Sequence, residues 1–196
     1  MSNYQSIGYE DASDELRLIY DEIREAIGET ELPNWITYMG EMPHIVKGSW
    51  ALLKSVLMDG NLPPLLQDLI LFVVAYHRTV PYCMALHASN IIRMTDNLTF
   101  SDLEEIAQGK SRGYLPEKYR VATAVALKLA TSKCILKKQD FDQLSEAGFD
   151  RSQSLEITML VSVSMFLNTY TFAAGMPIEP SVEKDLERTR RFKSTH

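Results

Sequence analysis

The stretch Leu65-Leu66-Gln67-Asp68-Leu69-Ile70-Leu71-Phe72-Val73-Val74-Ala75-Tyr76-His77-Arg78-Thr79-Val80-Pro81-Tyr82-Cys83-Met84-Ala85-Leu86-His87 decides the fold. Residues 69–76 are apolar on every side, a pattern that fits a buried helix or a buried strand. The helix is preferred, because the neighbouring segments are helical and no second strand is available for pairing. Pro63-Pro64 starts it, and it runs from about 65 to 77. A short connection over 78–80 leads to Pro81. Proline suits the first position of a helix, where its missing N–H would have no partner anyway. Cys83 then falls in the first turn of a helix running to about 94. The dipole there favours an anion, and thiolate pKa values fall at helix N-termini. His87 is one turn further on the same face. A thiol beside an imidazole is a minimal nucleophile–base pair.

Working outward, every other segment also reads as helix. Leu16, Ile19, Tyr20, Ile23 and Ile27 have helical spacing. Asp11, Ser13, Asp14 and Glu15 supply caps and negative charge at the start of that helix, and Gly28 ends it. Pro43 opens a helix with Ile45, Val46, Trp50, Leu53 and Leu57 as its apolar stripe, expected to close at Gly60. Ser101 and Glu104 form a capping box for a short helix to about 108. Pro116 opens the next, expected to reach about 132. Asp140 is expected to cap a short helix ending near Gly148, and Ser152 or Ser154 a long one over about 155–174. Residues 175–180 break the pattern, and the charged tail over 181–196 reads as a solvated helix. The expected fold class is all-α, a single helical domain over 1–196 with its core motif at 65–94.

Composition narrows the function. The chain has 196 residues, 45% hydrophobic and 23% charged, as expected for a globular protein. A formal charge of −6 argues against a nucleic-acid partner. Cys83 and Cys134 are too far apart in sequence to read as a disulfide framework, and free thiols fit a reducing interior. No secretory pattern is visible at the N-terminus, and the apolar run at 69–76 is too short to span a bilayer. The expectation is a cytoplasmic protein with no membrane partner. No phosphate-binding glycine loop is present, so no cofactor is expected. Asp68, His77, Cys83 and His87 are metal-ligand types, but their spacing matches no common zinc pattern and no metal is expected. Cys134, beside Lys133, reads as a bystander. Met159, Met165 and Phe166 read as core or subunit interface.

One internal echo stands out. Asp68 begins an apolar run that reaches Val80 after twelve residues. Glu156 begins another that reaches Asn168 at the same distance, with Thr171 where Cys83 would be. This reads as a decayed helical pseudo-repeat.

The segment 65–94 resembles the core of the alkylhydroperoxidase D-like, or carboxymuconolactone decarboxylase-like, family. The family motif is a glutamate, eleven intervening residues, a Cys-x-x-Cys pair, three residues and a histidine. Asp68 holds the glutamate position, Val80 the first cysteine, Cys83 the second and His87 the histidine. The closing Ala174-Gly175-Met176-Pro177-Ile178-Glu179-Pro180 resembles the end of the family's peroxidase-related branch. The segment from Pro33-Asn34-Trp35 to Pro43-His44 resembles that branch more loosely. The resemblance implies an all-helical fold assembled as a homo-oligomer, a trimer or hexamer.

It also implies a chemistry. In active members the second cysteine attacks a peroxide, the first closes a disulfide with the resulting sulfenic acid, and a partner reduces it. Histidine and glutamate relay the proton. Thiolate attack on an O–O bond and imidazole proton transfer suit these residue types. Two departures matter. Val80 cannot resolve a sulfenic acid, so recycling would need an external thiol reductant or Cys134. Asp68 is one methylene shorter than glutamate, which can make its contact with His87 water-mediated. Taken singly, Cys83 reads as a small buried hydrophobe, His87 as a hydrogen-bonded core histidine and Asp68 as a charge near a helix start. Three functions therefore stand open. One is a one-cysteine peroxidase acting on a hydroperoxide, with Cys83, His87 and Asp68 catalytic. Another is a non-redox lyase of the decarboxylase type, with His87 or His77 as acid–base. The third is a non-catalytic oligomeric binding protein.

Overall fold

The computed structural model of the chain describes residues 3–95, 97–110, 113, 115–131 and 136–192. Cys134 and residues 193–196 of the charged tail lie outside them. The described residues form ten helices and no strand: α1 Asp14–Ile27, α2 Asn34–Thr37, α3 Pro43–Leu57, α4 Pro64–His77, α5 Pro81–Met94, α6 Phe100–Ala107, α7 Glu117–Thr131, α8 Lys138–Glu146, α9 Arg151–Ala174 and α10 Pro180–Phe192.

α4 organises the rest, and its all-round apolarity is the reason. A helix with no polar face must be covered on every side. Here α5, α6, α7 and α9 cover it. Leu66, Leu69, Ile70, Phe72 and Val74 are fully buried. Each such side chain contributes about 1.5–3 kcal/mol relative to exposure. The turn into α5 places Thr79 at φ 56°, a left-handed conformation. Val80 follows as the cap residue of α5, and its N–H donates to the Ala75 carbonyl at 3.1 Å. This turn sends α5 back along α4 and brings their polar residues together.

At the N-terminus, Ser13 caps α1 by accepting from the Leu16 N–H, and Gly28 ends it at φ 68°. Leu16, Ile19, Tyr20 and Ile23 are buried in a cluster with Val46 and Trp50 of α3. Gly40 is required by close approach. A Cβ there would lie 2.6 Å from the Ile7 Cβ and 2.8 Å from the Tyr20 hydroxyl.

Several helix ends differ from the sequence expectation. α3 stops at Leu57, before Gly60, and the chain turns so that the Asn61 N–H reaches the Glu156 carboxylate at 2.5 Å. α6 is capped by Thr99, not Ser101. Thr99 and Asp102 make the reciprocal box, and starting earlier places Phe100 edge-on to Phe72 at 5.9 Å. Asp140 is inside the first turn of α8, accepting from the Lys137 N–H at 2.7 Å and pairing with Lys128 at 2.6 Å. α9 starts at Arg151 because Asp150 and Gln153 form its capping box, and Ser154 is buried inside the helix. The four-residue α2 was not expected. The tail is a helix, as expected, but not wholly solvated: Val182 is buried, and Asp185 accepts from the Ser89 hydroxyl of α5 at 2.8 Å.

α9 runs unbroken for 24 residues where the echoed segment is broken between α4 and α5. It is long and apolar enough to cross a membrane, with a mean hydropathy of 1.4, but 50% of that window is buried. The neighbours that bury it are α3, α4, α5, α7 and α8, as expected of a core helix.

Candidate functional site

A cavity of about 520 Å³ opens between α3, α4, α5, α9 and the start of α10. Asp68, Cys83, His87, Thr171 and Glu179 all line it. Its apolar wall includes Trp35, Ile36, Trp50, Leu53, Leu71 and Leu86.

Asp68 and His87 are in direct contact. The ring Nδ1 donates to Asp68 Oδ1 at 2.8 Å, with both side chains largely buried. Asn90, three residues after His87 on the same face, donates to the same oxygen at 3.1 Å. The shorter aspartate therefore reaches without a bridging water. With Nδ1 bonded to a carboxylate, the basic lone pair of a neutral imidazole is on Nε2.

Cys83 is the third residue of α5 and is 3% exposed. Its Sγ is 3.2 Å from the Thr171 hydroxyl of α9, and among the described residues it makes no hydrogen bond with His87. The residues aligned in the sequence echo thus meet in space, although their local conformations differ. The expected low thiol pKa does not hold. Burial pushes the thiol up to about 11; the Thr171 bond offsets part of this, and the Glu179 charge adds to it. Desolvation, which penalises the charged thiolate, is the largest influence on the group.

Beside Cys83, Tyr82 donates to Glu179 Oε1 at 2.7 Å, and the Asn34 N–H donates to the same oxygen at 2.7 Å. The Trp35 N–H reaches the Tyr82 oxygen at 3.3 Å, and the Asn34 side chain donates to the Pro177 carbonyl at 2.9 Å. Burial and the adjacent Glu179 drive the Tyr82 phenol well above its usual range. The three sequence segments that carry the resemblance therefore close on one another around the cavity. At the rim, Arg93 pairs with Glu29 at 3.1 Å and with Asp185 at 3.4 Å.

His77 is not part of the site. It is exposed, and its Nε2 bonds the Ala107 carbonyl at 2.7 Å. Among the described residues no three His, Cys, Asp or Glu side chains converge to hold a metal ion. Cys134 lies outside the described residues. Glu179, Asn90 and Arg93 were not singled out from the sequence. Asn90 had a signal, being one turn after His87, whereas nothing local marks Glu179 as a cavity residue.

No protein-family model and no curated protein matches this sequence. Solved structures do match. An uncharacterized peroxidase-related protein from Ralstonia eutropha JMP134, described as an alkylhydroperoxidase AhpD core, is 19% identical with a TM-score of 0.79, covering 92% of this chain and 94% of its own. The debrominase Bmp8, as a cysteine-to-alanine variant in complex with 2,3,4-tribromopyrrole, is 23% identical with a TM-score of 0.76, covering 96% and 100%. An uncharacterized peroxidase-related protein from Silicibacter sp. TM1040 is 16% identical with a TM-score of 0.77, covering 93% and 97%. These likenesses extend over nearly the whole of each chain, and they identify the fold as alkylhydroperoxidase D-like.

Proposed function

We propose that this chain is a one-cysteine thiol peroxidase, reducing a hydroperoxide at Cys83 and recycled by an external thiol. The observation that carries the reading is the direct Asp68–His87 pair in the cavity that also holds Cys83. At rest the thiol is protonated. His87 Nε2 accepts its proton as the sulfur attacks a peroxide oxygen. An S–O bond forms, the O–O bond breaks with its electron pair going to the leaving alkoxide, and His87 returns the proton to give the alcohol. Cys83 is left as a sulfenic acid. One external thiol displaces water from it to form a mixed disulfide. A second releases the Cys83 thiol and leaves as the oxidised disulfide. With Val80 in place of the first motif cysteine the motif holds no second thiol, and the reading assigns recycling to an external one.

The lining disfavours the lyase reading. Asp68, Glu179, Glu29 and Glu31 all border the cavity, a poor setting for an anionic lactone. A second reading draws on the debrominase neighbour: a thiol site of this kind can reduce a halogenated ring, with two thiols oxidised to a disulfide and halide released. We further propose that the protein is a cytoplasmic homo-oligomer, a trimer or hexamer. Leu155, Met159, Phe166 and Phe172 of α9 are exposed on its outer side and suit a contact with another copy.

The test is hydroperoxide treatment with a sulfenic-acid trap, on wild type, Cys83→Ser and His87→Ala. Trapping at Cys83 that falls sharply in His87→Ala supports the peroxidase. Trapping at Cys134 rejects the site. Bromide release from a bromopyrrole without any peroxide turnover selects the second reading.

A further inference from the structure

Asp68 is held by a second donor besides the histidine. Its Oδ1 accepts from His87 Nδ1 at 2.8 Å and from Asn90 Nδ2 at 3.1 Å. The Asn90 Oδ1 in turn accepts from Arg93 Nη2 at 3.1 Å. His87, Asn90 and Arg93 follow one another at intervals of three along α5, so they lie on one side of the helix, and all three border the cavity. An amide has a donor end and an acceptor end. Turned over, the Asn90 amide would set its NH₂ against the guanidinium and its oxygen against the carboxylate, so both neighbours hold it one way round. Arg93 is itself anchored. It pairs with Glu29, just after α1, at 3.1 Å and with Asp185 of α10 at 3.4 Å. Asp185 also accepts from the Ser89 hydroxyl at 2.8 Å. Two segments remote in sequence therefore brace the amide from outside the site.

The bracing bears on what His87 has to do. The terminal torsion of a carboxylate is broad, and one hydrogen bond leaves the group free to turn. A second donor on the same oxygen, from another direction, removes that freedom. Which ring nitrogen of a histidine carries the proton is set by the hydrogen bond the ring makes, so a carboxylate that cannot turn fixes both the ring and its tautomer. The sulfur gives no such support, because Cys83 and His87 make no hydrogen bond with each other among the described residues. We infer that Asn90, oriented by Arg93, is a positioning residue. It holds the Asp68 carboxylate against His87 Nδ1 and so keeps the basic lone pair of the ring on Nε2. The assignment rests on the reading of His87 as the base of the proposed reaction, and it adds the residues that aim that base.

The experiment reads the His87 tautomer by ¹⁵N NMR of the full chain, with the ring neutral. The chain holds four histidines, and the His87 signals are assigned by their loss in His87→Gln. In the wild type the proton is expected on Nδ1 alone. Asn90→Leu keeps the shape of the side chain and removes both of its hydrogen bonds. The Nε2–H tautomer should then appear, and the two nitrogen shifts should move toward each other. Arg93→Met should move them the same way by a smaller amount, and adding it to Asn90→Leu should change nothing further, because Arg93 acts through Asn90. A residue that merely fills space would leave the tautomer alone. A wild-type ring protonated on Nε2, shifts that stay put in Asn90→Leu, or a further shift in the double variant each overturn the assignment. Arg93 is exposed, so Arg93→Met tests the same chain of bonds even where Asn90→Leu folds poorly. Cumene hydroperoxide turnover is measured separately. In Asn90→Leu kcat is expected to fall roughly tenfold, the effect of a misaimed base, with KM within about twofold of wild type. Absent wild-type turnover, with the tautomer lost in Asn90→Leu, rejects the peroxidase and leaves the Asn90 assignment standing. Wild-type turnover with an unmoved tautomer rejects the assignment alone.

Discussion

Thr171→Val isolates what the α9 hydroxyl does for Cys83. Thr171 is 2% exposed, and its Oγ1 is 3.2 Å from the sulfur. While Cys83 is a thiol, either atom can donate. Once it ionises, only the hydroxyl can. A hydrogen bond to a charged group contributes about 1.5–3 kcal/mol, and sulfur is a weak acceptor, so the low end applies. About 1.5 kcal/mol is close to one pKa unit. Valine is therefore expected to raise the thiol further above its present value of about 11. The thiolate fraction at fixed pH falls about tenfold. The more basic thiolate is a better nucleophile, and a Brønsted coefficient near 0.4–0.5 returns about threefold of that loss. The net expectation is a roughly three- to fivefold slower reaction of Cys83 with iodoacetamide, a neutral reagent. The assay is the alkylation rate by mass spectrometry from pH 7 to 10. Log rate should climb steadily with pH in both proteins, and the two lines should stay parallel. An unchanged or faster rate in Thr171→Val refutes hydrogen-bond support of the thiolate. A wild-type plateau below pH 9 refutes the raised thiol itself.

Four further outcomes are expected. Asp68→Asn keeps a group that can bond His87 Nδ1 but removes the charge behind it, so cumene hydroperoxide turnover should fall about 100-fold; a change within twofold would detach Asp68 from the chemistry. The Cys83 thiol is raised from 9.0 to about 11 on folding, so its contribution to stability is fully present below pH 9 and is lost as pH rises through 11. At pH 10.5 wild type should therefore have lost about 2 kcal/mol that Cys83→Ala does not lose, read from urea midpoints at pH 8 and 10.5. Gly40→Ala drives a methyl group into Ile7 and Tyr20 and should cost about 1–3 kcal/mol in urea unfolding, and a neutral result would mean that the segment before α1 moves freely. Val80→Cys places a thiol at the cap of α5, one turn before Cys83, so peroxide should now consume both thiols in one intrachain disulfide; thiol titration in denaturant would expose a failure.

The two central helices were legible because their signals are local. Pro64 and Pro81 open α4 and α5, and the apolar run between them has no polar face to expose. The caps were less legible because two residues three apart are common. Thr99–Asp102 and Ser101–Glu104 both satisfy the pattern, and the packing of Phe100 on Phe72 chooses between them. The meeting of Asp68 and His87 follows from motif spacing across one turn. Glu179 has no such route. Its partners Tyr82 and Asn34 are 97 and 145 residues away, and in sequence it is one acid between an isoleucine and a proline. The thiol was misjudged for the same reason. Its place in a first turn is local, but the Ala174 and Met176 side chains packed around it come from the far end of the chain.

The raised thiol and the lost cysteine bear on each other. In a site with a resolving cysteine, a sulfenic acid is captured as a disulfide as soon as it forms. In this chain Val80 occupies that place, 3% exposed and packed with Ala75 and Met176, so on the proposed reading a sulfenic acid at Cys83 would wait for a thiol from outside the motif. A standing thiolate would react with whatever oxidant entered, and a waiting sulfenic acid is open to a second, irreversible oxidation. Both hazards shrink if the thiol stays protonated at rest and the cavity is closed to bulk water. Burial and the Glu179 charge hold the thiol protonated. On the proposed mechanism the Asp68–His87 pair would take the proton only when substrate brings an oxygen that can receive it. The two acids then have opposite parts: Asp68 fixes the orientation of the His87 ring, and Glu179 adds to the burial that keeps the thiol protonated.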